Sequence, residues 1–384
     1  MTPKRLALLC LIPLLFAAPA SAQIPGPPDL AATSYILMDF HSGEIIAEKA
    51  PGLEVEPASI TKLMTSYVVF RELASGALDL SDPVRISENA WRTGGSRMFV
   101  EVDTEVTVED LLKGVIVQSG NDASVALAEH VAGSEEVFAQ MMNAEADRLG
   151  MAATHYANAT GLPAPGHVTT AEDVAILARA LIEEFPQYYA WYAQKSFTYN
   201  DIEQSNRNRL LWRDPSVDGL KTGHTEAAGY CLVTSALRDG MRLISVVMGT
   251  PSEDARATAS QALLNYGFRF FETFRLYSAG DELARVPVWK GAVDEMGLGI
   301  ASNLFVTIPR GGQDDLSAEL EIPSRPVAPF QRGQQLGSVQ ILLDGEPRVS
   351  RPLVVLEDVP AAGWWGRTTD GMGLWFRGLF GGDD

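Results

Sequence analysis

Residues 57–62, with the sequence PASITK, place a serine hydroxyl and a lysine amine three positions apart. Pro57 is tolerated in a first helical turn and Gly76 is a stop signal, so the apolar run between them predicts a helix over 58–73. On a helix, positions i and i+3 lie on one face, so the Lys62 amine can reach the Ser59 hydroxyl and take its proton. Because an S-x-x-K pattern is common by chance, its meaning depends on the partners that the rest of the chain supplies.

The first 22 residues are typical of a secretory signal peptide. Lys4 and Arg5 form the charged start, residues 6–18 form an apolar run, and residues 20–22 (ASA) form an A-x-A cleavage site. The run is shorter than the ~20 residues needed to span a bilayer, so cleavage after Ala22 is favoured over an uncleaved membrane helix. The mature protein is therefore expected to be exported.

Charge and cysteine content exclude several classes of protein. Removing 22 residues with two positive charges from a chain of 384 residues and net charge −19 leaves 362 residues with net charge −21. A chain this acidic repels nucleic acid, and no basic stripe offsets the repulsion. Cys231 alone remains after cleavage, so no intrachain disulfide can form, and its strand-like surroundings predict a buried, unreactive side chain. No Cys/His cluster has metal-ligand spacing, so we expect neither a metal nor another cofactor.

Residues 30–272 mix helical periodicity with antiparallel hairpin patterns. This mixture predicts an α/β or α+β catalytic domain in which an antiparallel sheet is flanked by helices. The predicted strands are 35–38, 45–47, 217–221, 229–237 and 241–249. The predicted helices that follow 58–73 are 111–118, 121–132, 134–149, 169–184 and 252–271.

The remainder of the chain has a different character. Residues 273–360 alternate short β-type runs with Gly and Pro turns, which predicts a small all-β domain. The runs are 304–308, 339–343 and 353–355. The last stretch, 363–384, is rich in tryptophan and phenylalanine beside Arg367 and Arg377, and is predicted to anchor the chain to a membrane surface. The alternative is a tail that packs on the β domain or has no fixed structure.

Two further motifs supply partners for Ser59. Ser119-Gly120-Asn121 lies at the junction of two predicted helices, and residues 221–223 (KTG) end a predicted strand. Each motif alone has an ordinary explanation as a helix cap, a turn or a solvated lysine. The three motifs in this order, with the first on a helix and the last on a strand, are highly specific for a serine acyl-enzyme site.

On these motifs the chain resembles the serine penicillin-recognising enzymes and, within them, the low-molecular-mass D-alanyl-D-alanine carboxypeptidases. The segments QSGNDASVALAEHVAG, HYANATGLP, NRNRLLW, VDGLKTGHTEAAGYC and GFRFFET support the resemblance, which covers about residues 30–380. It implies a penicillin-binding transpeptidase-like fold, with the site between a sheet and a helical cluster. It also implies a peptidoglycan pentapeptide ending in D-Ala-D-Ala as substrate and β-lactam antibiotics as covalent inhibitors. With the signal and the tail, it implies a peripheral protein on the periplasmic face of the inner membrane.

The resemblance and the chemistry together suggest the catalytic roles. Ser59 is expected to attack the carbonyl between the two D-alanines, with its backbone N–H and the helix dipole facing the developing oxyanion. Lys62 is expected to be the general base, which requires a neutral amine whose pKa is lowered by burial and by Lys221 as a cationic neighbour. Ser119 is expected to relay the proton to the leaving amine. Water then hydrolyses the acyl-serine ester.

A second group of residues is expected to bind the substrate. These residues are Asn121, Lys221, Thr222, Gly223, His224 and Arg207. Asn121 is expected to hydrogen-bond a peptide amide and the Lys62 amine, while Lys221 and Thr222 hold the terminal carboxylate. By resemblance, the backbone N–H of His224 is the second oxyanion donor, and Arg207 matches a family position near the carboxylate pocket.

Three other functions share part of this pattern. A β-lactamase has the same motifs, but the E-x-x-L-N segment of the class that deacylates through a carboxylate is missing between the second and third motifs. A D,D-endopeptidase or transpeptidase uses the same mechanism, and the sequence does not separate these from a carboxypeptidase. A non-catalytic peptidoglycan-binding protein is disfavoured because all three motifs are intact.

Overall fold

The computed structural model describes residues 24–363. The predicted signal peptide, 1–22, and the predicted membrane tail beyond Gly363 lie outside the described residues. The helices are α1 (Lys62–Ser75), α2 (Glu88–Arg92), α3 (Val108–Lys113), α4 (Asn121–Ala132), α5 (Glu135–Leu149), α6 (Ala171–Glu184), α7 (Pro186–Tyr189), α8 (Leu210–Arg213) and α9 (Glu253–Phe270). Segments of 3₁₀ geometry are Ala58–Thr61, Ala190–Ala193 and Gln313–Asp315, and Gly114–Gln118 is π-helical.

The strands fall into a large N-terminal sheet, two small hairpin-like pairs and a C-terminal β region. The N-terminal strands are β1 (Ser34–Asp39), β2 (Ile45–Lys49), β3 (Pro83–Arg85), β4 (Glu105–Thr107), β5 (Ser196–Tyr199), β6 (Ile202–Ser205), β7 (Val217–Thr225), β8 (Gly229–Arg238) and β9 (Met241–Thr250). The C-terminal strands are β10 (Phe271–Tyr277), β11 (Glu282–Pro287), β12 (Glu295–Gly299), β13 (Leu304–Pro309), β14 (Leu316–Glu321), β15 (Gln335–Leu343) and β16 (Glu346–Val355).

A five-stranded antiparallel sheet, in the order β2-β1-β9-β8-β7, is the centre of the N-terminal region. Side chains alternate between its two faces along each strand. On β1, Ile36 and Met38 face a core shared with α1, α4 and α6, whereas Tyr35 and Leu37 face a second core built on α9. Helices therefore cover both faces, and the predicted antiparallel sheet flanked by helices is confirmed.

The helix that carries the first motif is the most enclosed element of this region. Every residue of α1 from Lys62 to Phe70 is buried, and the helix packs against α4, α5 and α6. The predicted helix over 58–73 is confirmed except for its first turn, Ala58–Thr61, which is a 3₁₀ turn. Side chains at i and i+3 eclipse each other in a 3₁₀ turn, so Ser59 and Lys62 lie one directly above the other.

The helix predicted over 111–118 is correct only in its first part. α3 ends at Lys113, and Gly114–Gln118 continues with π-helical geometry. Gly114 leaves no room for a side chain, because an added Cβ would lie 2.3 Å from the sulfur of Met98. The wide turn ends at Ser119, whose left-handed φ of 66° starts a new direction before α4. Helix-forming residues do not distinguish a π-helical turn from an α-helix, and π-helical turns are often found at functional sites.

From β10 onward the regular elements of the described residues are β-strands, apart from the 3₁₀ turn at Gln313–Asp315. β10 pairs with β13, and a second antiparallel sheet has the order β11-β12-β16-β15-β14. The predicted strands 304–308, 339–343 and 353–355 are confirmed as parts of β13, β15 and β16. The domain limits 30–272 and 273–360 stay predictions. Within residues 24–363, no helix combines the length and hydrophobicity that crossing a membrane requires.

A buried carboxylate joins the N-terminal sheet to the C-terminal β region. Asp39, at the end of β1, is fully buried. One of its oxygens accepts hydrogen bonds from the backbone N–H (2.8 Å) and hydroxyl (3.0 Å) of Ser42, and the other accepts one from the Thr273 hydroxyl (2.7 Å). The Thr307 hydroxyl lies 2.7 Å from that of Ser42 and 2.9 Å from that of Thr273. The joint is therefore a closed polar network in which every hydroxyl has a partner.

We predict that Asp39→Ala lowers the free energy of unfolding by about 2–4 kcal/mol, because three donors lose their acceptor in a buried site. Chemical denaturation measures this change. Asp79→Ala is the matched control, because Asp79 accepts hydrogen bonds in an exposed turn. Equal losses in the two variants would show that the Asp39 network adds nothing to stability.

Candidate active site

A cavity of about 230 Å³ lies where the edge strand β7 meets the helical cluster. Its walls are Ser59, Gly95, Ser96, Ser119, Asn121, Thr160, Gly161, Leu162, Arg207, Thr222, Gly223, His224, Thr225, Tyr230, Glu253 and Arg256. The structure thus brings the predicted site residues together. All of them line the cavity except Lys62 and Lys221, which are buried behind it and contact Ser59 and Ser119.

The amine of Lys62 has three neighbours within hydrogen-bond distance. Its Nζ lies 3.1 Å from Ser59 Oγ, 2.6 Å from Asn121 Oδ1 and 2.5 Å from the carbonyl oxygen of Thr160. The Asn121 side chain presents its oxygen to Lys62 because its Nδ2 donates to the carbonyl of Gly94 at 2.7 Å. Two of the three neighbours can therefore only accept a hydrogen bond, and the third, Ser59, can also donate one.

This arrangement favours a neutral amine that accepts the serine proton. Burial and, to a smaller extent, the positive charge of Arg207 lower the pKa of Lys62 from its ordinary 10.5 to about 7, against the opposite effect of Asp122 and Glu135. A neutral amine has two N–H groups and one lone pair. When the N–H groups donate to Asn121 and Thr160, the lone pair faces the hydroxyl of Ser59. Arg207 is thus a cation that acts on Lys62, in addition to the expected neighbour Lys221, whose charge interacts with that of Lys62.

The second serine and the second lysine form another buried pair. Lys221 Nζ donates to Ser119 Oγ at 2.9 Å and to the carbonyl of Thr222 at 3.0 Å. Burial lowers the pKa of Lys221 well below its usual range, and the charge of Lys62 adds to this. The left-handed backbone at Ser119 turns its side chain out of the helix end towards β7. The hydroxyl of Ser119 is thus held at the cavity wall by a buried amine.

The KTG motif lies within a strand and not at its end. β7 runs from Val217 to Thr225, because its pairing with β8 continues to the partners Thr225 and Gly229. The predicted end at Lys221 is therefore wrong. Gly223 packs against the nucleophile turn so closely that an added Cβ would lie 3.2 Å from both the carbonyl oxygen of Pro57 and the backbone nitrogen of Ile60. Glycine at this position thus brings the edge strand up to Ser59.

The imidazole ring of His224 packs against a neighbouring side chain of the sheet. It packs on Tyr230 with ring centroids 4.0 Å apart, and the two residues are paired across β7 and β8. This contact is consistent with the expectation that His224 acts through its backbone. Arg207, by contrast, makes no hydrogen bond or ion pair with another described residue, although the charge of Glu253 acts on it, and its guanidinium can donate to an anion in the cavity.

Sequence reasoning missed several residues of the cavity. Arg256, 4% exposed, donates from its guanidinium to the carbonyl of Gly223 at 3.1 Å, and Glu253 stands beside it. Both belong to the first turn of α9, where charged residues ordinarily face solvent. Thr160 and Gly161 come from a loop, and Thr160 contributes a backbone carbonyl, which any residue type carries. No residue-type signal in the sequence could have indicated it.

Other reactive groups take no part in the cavity. Cys231 is fully buried in β8, and burial raises the pKa of its thiol to about 11, so the prediction of an unreactive, buried cysteine is confirmed. Between residues 24 and 363, no group of three or more His, Cys, Asp or Glu side chains is placed to hold a metal ion.

Two family descriptions cover most of the chain. Residues 21–252 match the family described as D-alanyl-D-alanine carboxypeptidase, and residues 271–361 match the penicillin-binding protein 5, C-terminal domain. D-alanyl-D-alanine carboxypeptidase DacA of Escherichia coli is 42% identical, with 98% of each chain covered. DacA of Haemophilus influenzae is 43% identical, with 92% of each chain covered.

Solved structures give the same result. Penicillin-binding protein 5 from Haemophilus influenzae superposes with a TM-score of 0.85 and 43% identity, covering 88% of this chain and 99% of that one. Penicillin-binding protein D2 from Listeria monocytogenes, in its ampicillin-bound form, superposes with a TM-score of 0.58 and 28% identity, covering 63% of this chain and 100% of that one. On the family match, the extent of the identity and the shared fold, the chain belongs to the D-alanyl-D-alanine carboxypeptidase family.

Proposed function

We propose that this carboxypeptidase releases the terminal D-alanine of peptidoglycan pentapeptides through an acyl-enzyme on Ser59. The observation that carries the proposal is the contact set of Lys62. Its amine lies 3.1 Å from Ser59 Oγ, and its other neighbours, Asn121 Oδ1 and the Thr160 carbonyl, can only accept hydrogen bonds. The serine proton therefore has a base within reach before any substrate arrives.

The reaction has two steps in this proposal. Ser59 Oγ attacks the carbonyl carbon between the two D-alanines while its proton passes to Lys62, and the C–N bond breaks as the leaving amine takes a proton through Ser119. The backbone N–H groups of Ser59 and His224 bind the oxyanion that forms in between. Water then attacks the ester carbonyl carbon while Lys62 takes a proton from it. The ester C–O bond breaks as Lys62 returns that proton to Ser59 Oγ, and the shortened peptide leaves as a carboxylate.

The cavity wall beside β7 suits the terminal carboxylate of the substrate. Thr222 and Arg207 line this wall, and Lys221 is buried behind it. Because Arg207 makes no hydrogen bond with another described residue, its N–H groups would be free to donate to a bound carboxylate. Asn121 and Gly223 also line the cavity along which the peptide lies. The side-chain oxygen of Asn121 accepts a hydrogen bond from Lys62.

We also infer that β-lactams acylate Ser59. Acylation uses the same attack on a carbonyl carbon, and a related structure, penicillin-binding protein D2, is described in ampicillin-bound and cefotaxime-bound forms. The supporting observation in this chain is the intact set of Ser59, Lys62, Ser119 and Lys221 around one cavity.

For location, we propose export by the signal peptide and attachment of the tail to the periplasmic face of the inner membrane. The sequence supports this proposal, because tryptophan and phenylalanine alternate with Arg367 and Arg377 between residues 363 and 384.

Ser59→Ala is expected to lower the release of D-alanine from a D-Ala-D-Ala peptide by at least about 10³-fold, because no nucleophile remains. The same variant should form no penicillin adduct by mass spectrometry. Ser75→Ala, at the exposed end of the same helix, is the control and should keep wild-type activity. Full D-alanine release by Ser59→Ala, or an adduct on another residue, would contradict the assignment.

Acylation by penicillin should depend on the protonation of Lys62. Because the pKa of Lys62 is about 7 and only the neutral amine accepts a proton, the rate should fall about tenfold per pH unit below 7 and level off above it. Arg207→Gln removes a positive charge and should move the falling limb to higher pH. Arg213→Gln is the control, since Arg213 pairs with Asp254 on the surface. A rate constant that is flat between pH 5 and 9 would exclude Lys62 as the base.

Deleting residues 364–384 should move the protein from the membrane fraction to the soluble fraction, because the aromatic residues of the tail are lost. Activity on a soluble peptide should be unchanged, which shows that the shortened chain is folded. An unchanged membrane-bound fraction after deletion would refute the anchor.

A further inference from the structure

The loop at residues 156–167, called the 156–167 loop below, lies tightly against the nucleophile turn. Its Ala159 and Thr160 carbonyls accept hydrogen bonds from the Thr65 hydroxyl, at 2.6 Å, and the Lys62 amine, at 2.5 Å. Gly161 has a left-handed φ of 81°, and an added Cβ would lie 1.8 Å from the carbonyl oxygen of Ala58. The position of this loop therefore decides where one of the two acceptors of Lys62 lies.

A buried histidine connects this loop to the nucleophile turn. His167 is 2% exposed. Its Nδ1 accepts a hydrogen bond from the backbone N–H of Ala157 at 2.9 Å, and its Nε2 lies 2.8 Å from Thr61 Oγ1. A neutral ring that accepts at Nδ1 carries its proton on Nε2, so it donates to Thr61. One ring thus holds the loop on one side and the turn that carries Ser59 on the other.

The surroundings of His167 keep its ring neutral. Burial, together with the smaller effects of the charges of His155 and Lys62, lowers its pKa from 6.5 to about 4. Above pH 5 the ring therefore keeps one donor and one acceptor, which match Thr61 and Ala157. The ring also packs edge-on against Tyr156, with centroids 5.9 Å apart, which limits its rotation.

We propose that His167 is a positioning residue for the general base. It fixes the 156–167 loop to the nucleophile turn, so that the Thr160 carbonyl stays on the Lys62 amine and the lone pair of that amine stays directed at Ser59. The proposal rests on the proposed function in one respect, the role of Lys62 as base. A histidine that only satisfied buried backbone groups would change stability, whereas a positioning residue also changes the rate of acylation.

The test compares rates of acylation by penicillin for His167→Leu, His167→Gln and Thr61→Val. His167→Leu should slow acylation about 10- to 100-fold, the size of effect expected from a misplaced catalytic group. Its penicillin concentration for half-maximal rate should stay near that of the wild type. His167→Gln should recover most of the rate, because its amide oxygen can accept from Ala157 and its NH₂ can donate to Thr61. His130→Leu is the control, since His130 is exposed in the last turn of α4, away from the 156–167 loop.

A double-variant cycle separates positioning from packing. Thr61→Val keeps the shape of the side chain and removes the acceptor, so it should slow acylation as His167→Leu does. The double variant should be no slower than either single variant, because both break the same contact. The proposal would be overturned if Thr61→Val were acylated at the wild-type rate. It would also be overturned if the fold-loss in rate of the double variant equalled the product of the fold-losses of the two single variants. Thr61→Val alone suffices for this test if His167→Leu does not fold.

The proposed function can fail separately. A wild-type protein that is acylated at Ser59 but releases no D-alanine would refute the substrate, and the comparison of acylation rates would still decide the role of His167. Thermal unfolding of each variant shows whether stability changes together with the rate. Loss of stability in His167→Leu with an unchanged acylation rate would reduce His167 to a structural residue.

Discussion

The site depends on a lysine that is buried without a charged partner in contact. Lys62 is fully buried at the start of α1, and its described hydrogen-bond partners are a hydroxyl, an amide oxygen and a backbone carbonyl. A charged amine in such a place is costly, since no carboxylate in contact with it offsets the several kcal/mol of desolvation, and Asp122 and Glu135 act only from a distance. The neutral form is therefore favoured, and a neutral amine is what a general base requires. Enclosure of α1 by the other helices is thus a condition for catalysis.

Each partner of Lys62 comes from a different part of the fold. Ser59 precedes it by one 3₁₀ turn, Asn121 begins α4 after the π-helical turn, and Thr160 comes from the 156–167 loop. β7 closes the site from the sheet side, where Gly223 allows the strand to approach the nucleophile turn. The active site therefore exists only when the sheet, the helical cluster and the loop are all in place, and no isolated segment can contain it.

Sequence reasoning predicted the residues that act through their side chains. Ser59, Lys62, Ser119 and Lys221 could be found because their chemistry needs particular residue types at particular spacings. The Thr160 carbonyl could not be found, since every residue carries one. The effect of the Arg207 charge on Lys62 was also missed, because charge effects follow distances in space that motif order does not give.

The same limit applies to the elements of the fold. Short β-type runs between Gly and Pro turns predicted β13, β15 and β16 but not the other strands of the C-terminal β region, and helical periodicity predicted α4, α5 and α6. The 3₁₀ turn at Ala58–Thr61 and the π-helical turn at Gly114–Gln118 were missed, because helix propensity does not distinguish helices of different pitch. These two turns place Ser59 and Ser119, so the local structure that matters most for function was the part that propensity could not predict.

The most direct test is the pKa of Lys62 itself. NMR titration of protein labelled at the lysine side chains, with the Lys62 signal assigned from a Lys62→Arg variant, reports the protonation of this amine without any reaction. A pKa of about 7 is predicted, from burial and the charge of Arg207. A pKa near the ordinary lysine value of 10.5 would mean that the amine is charged at neutral pH, and it would contradict the assignment of Lys62 as the base.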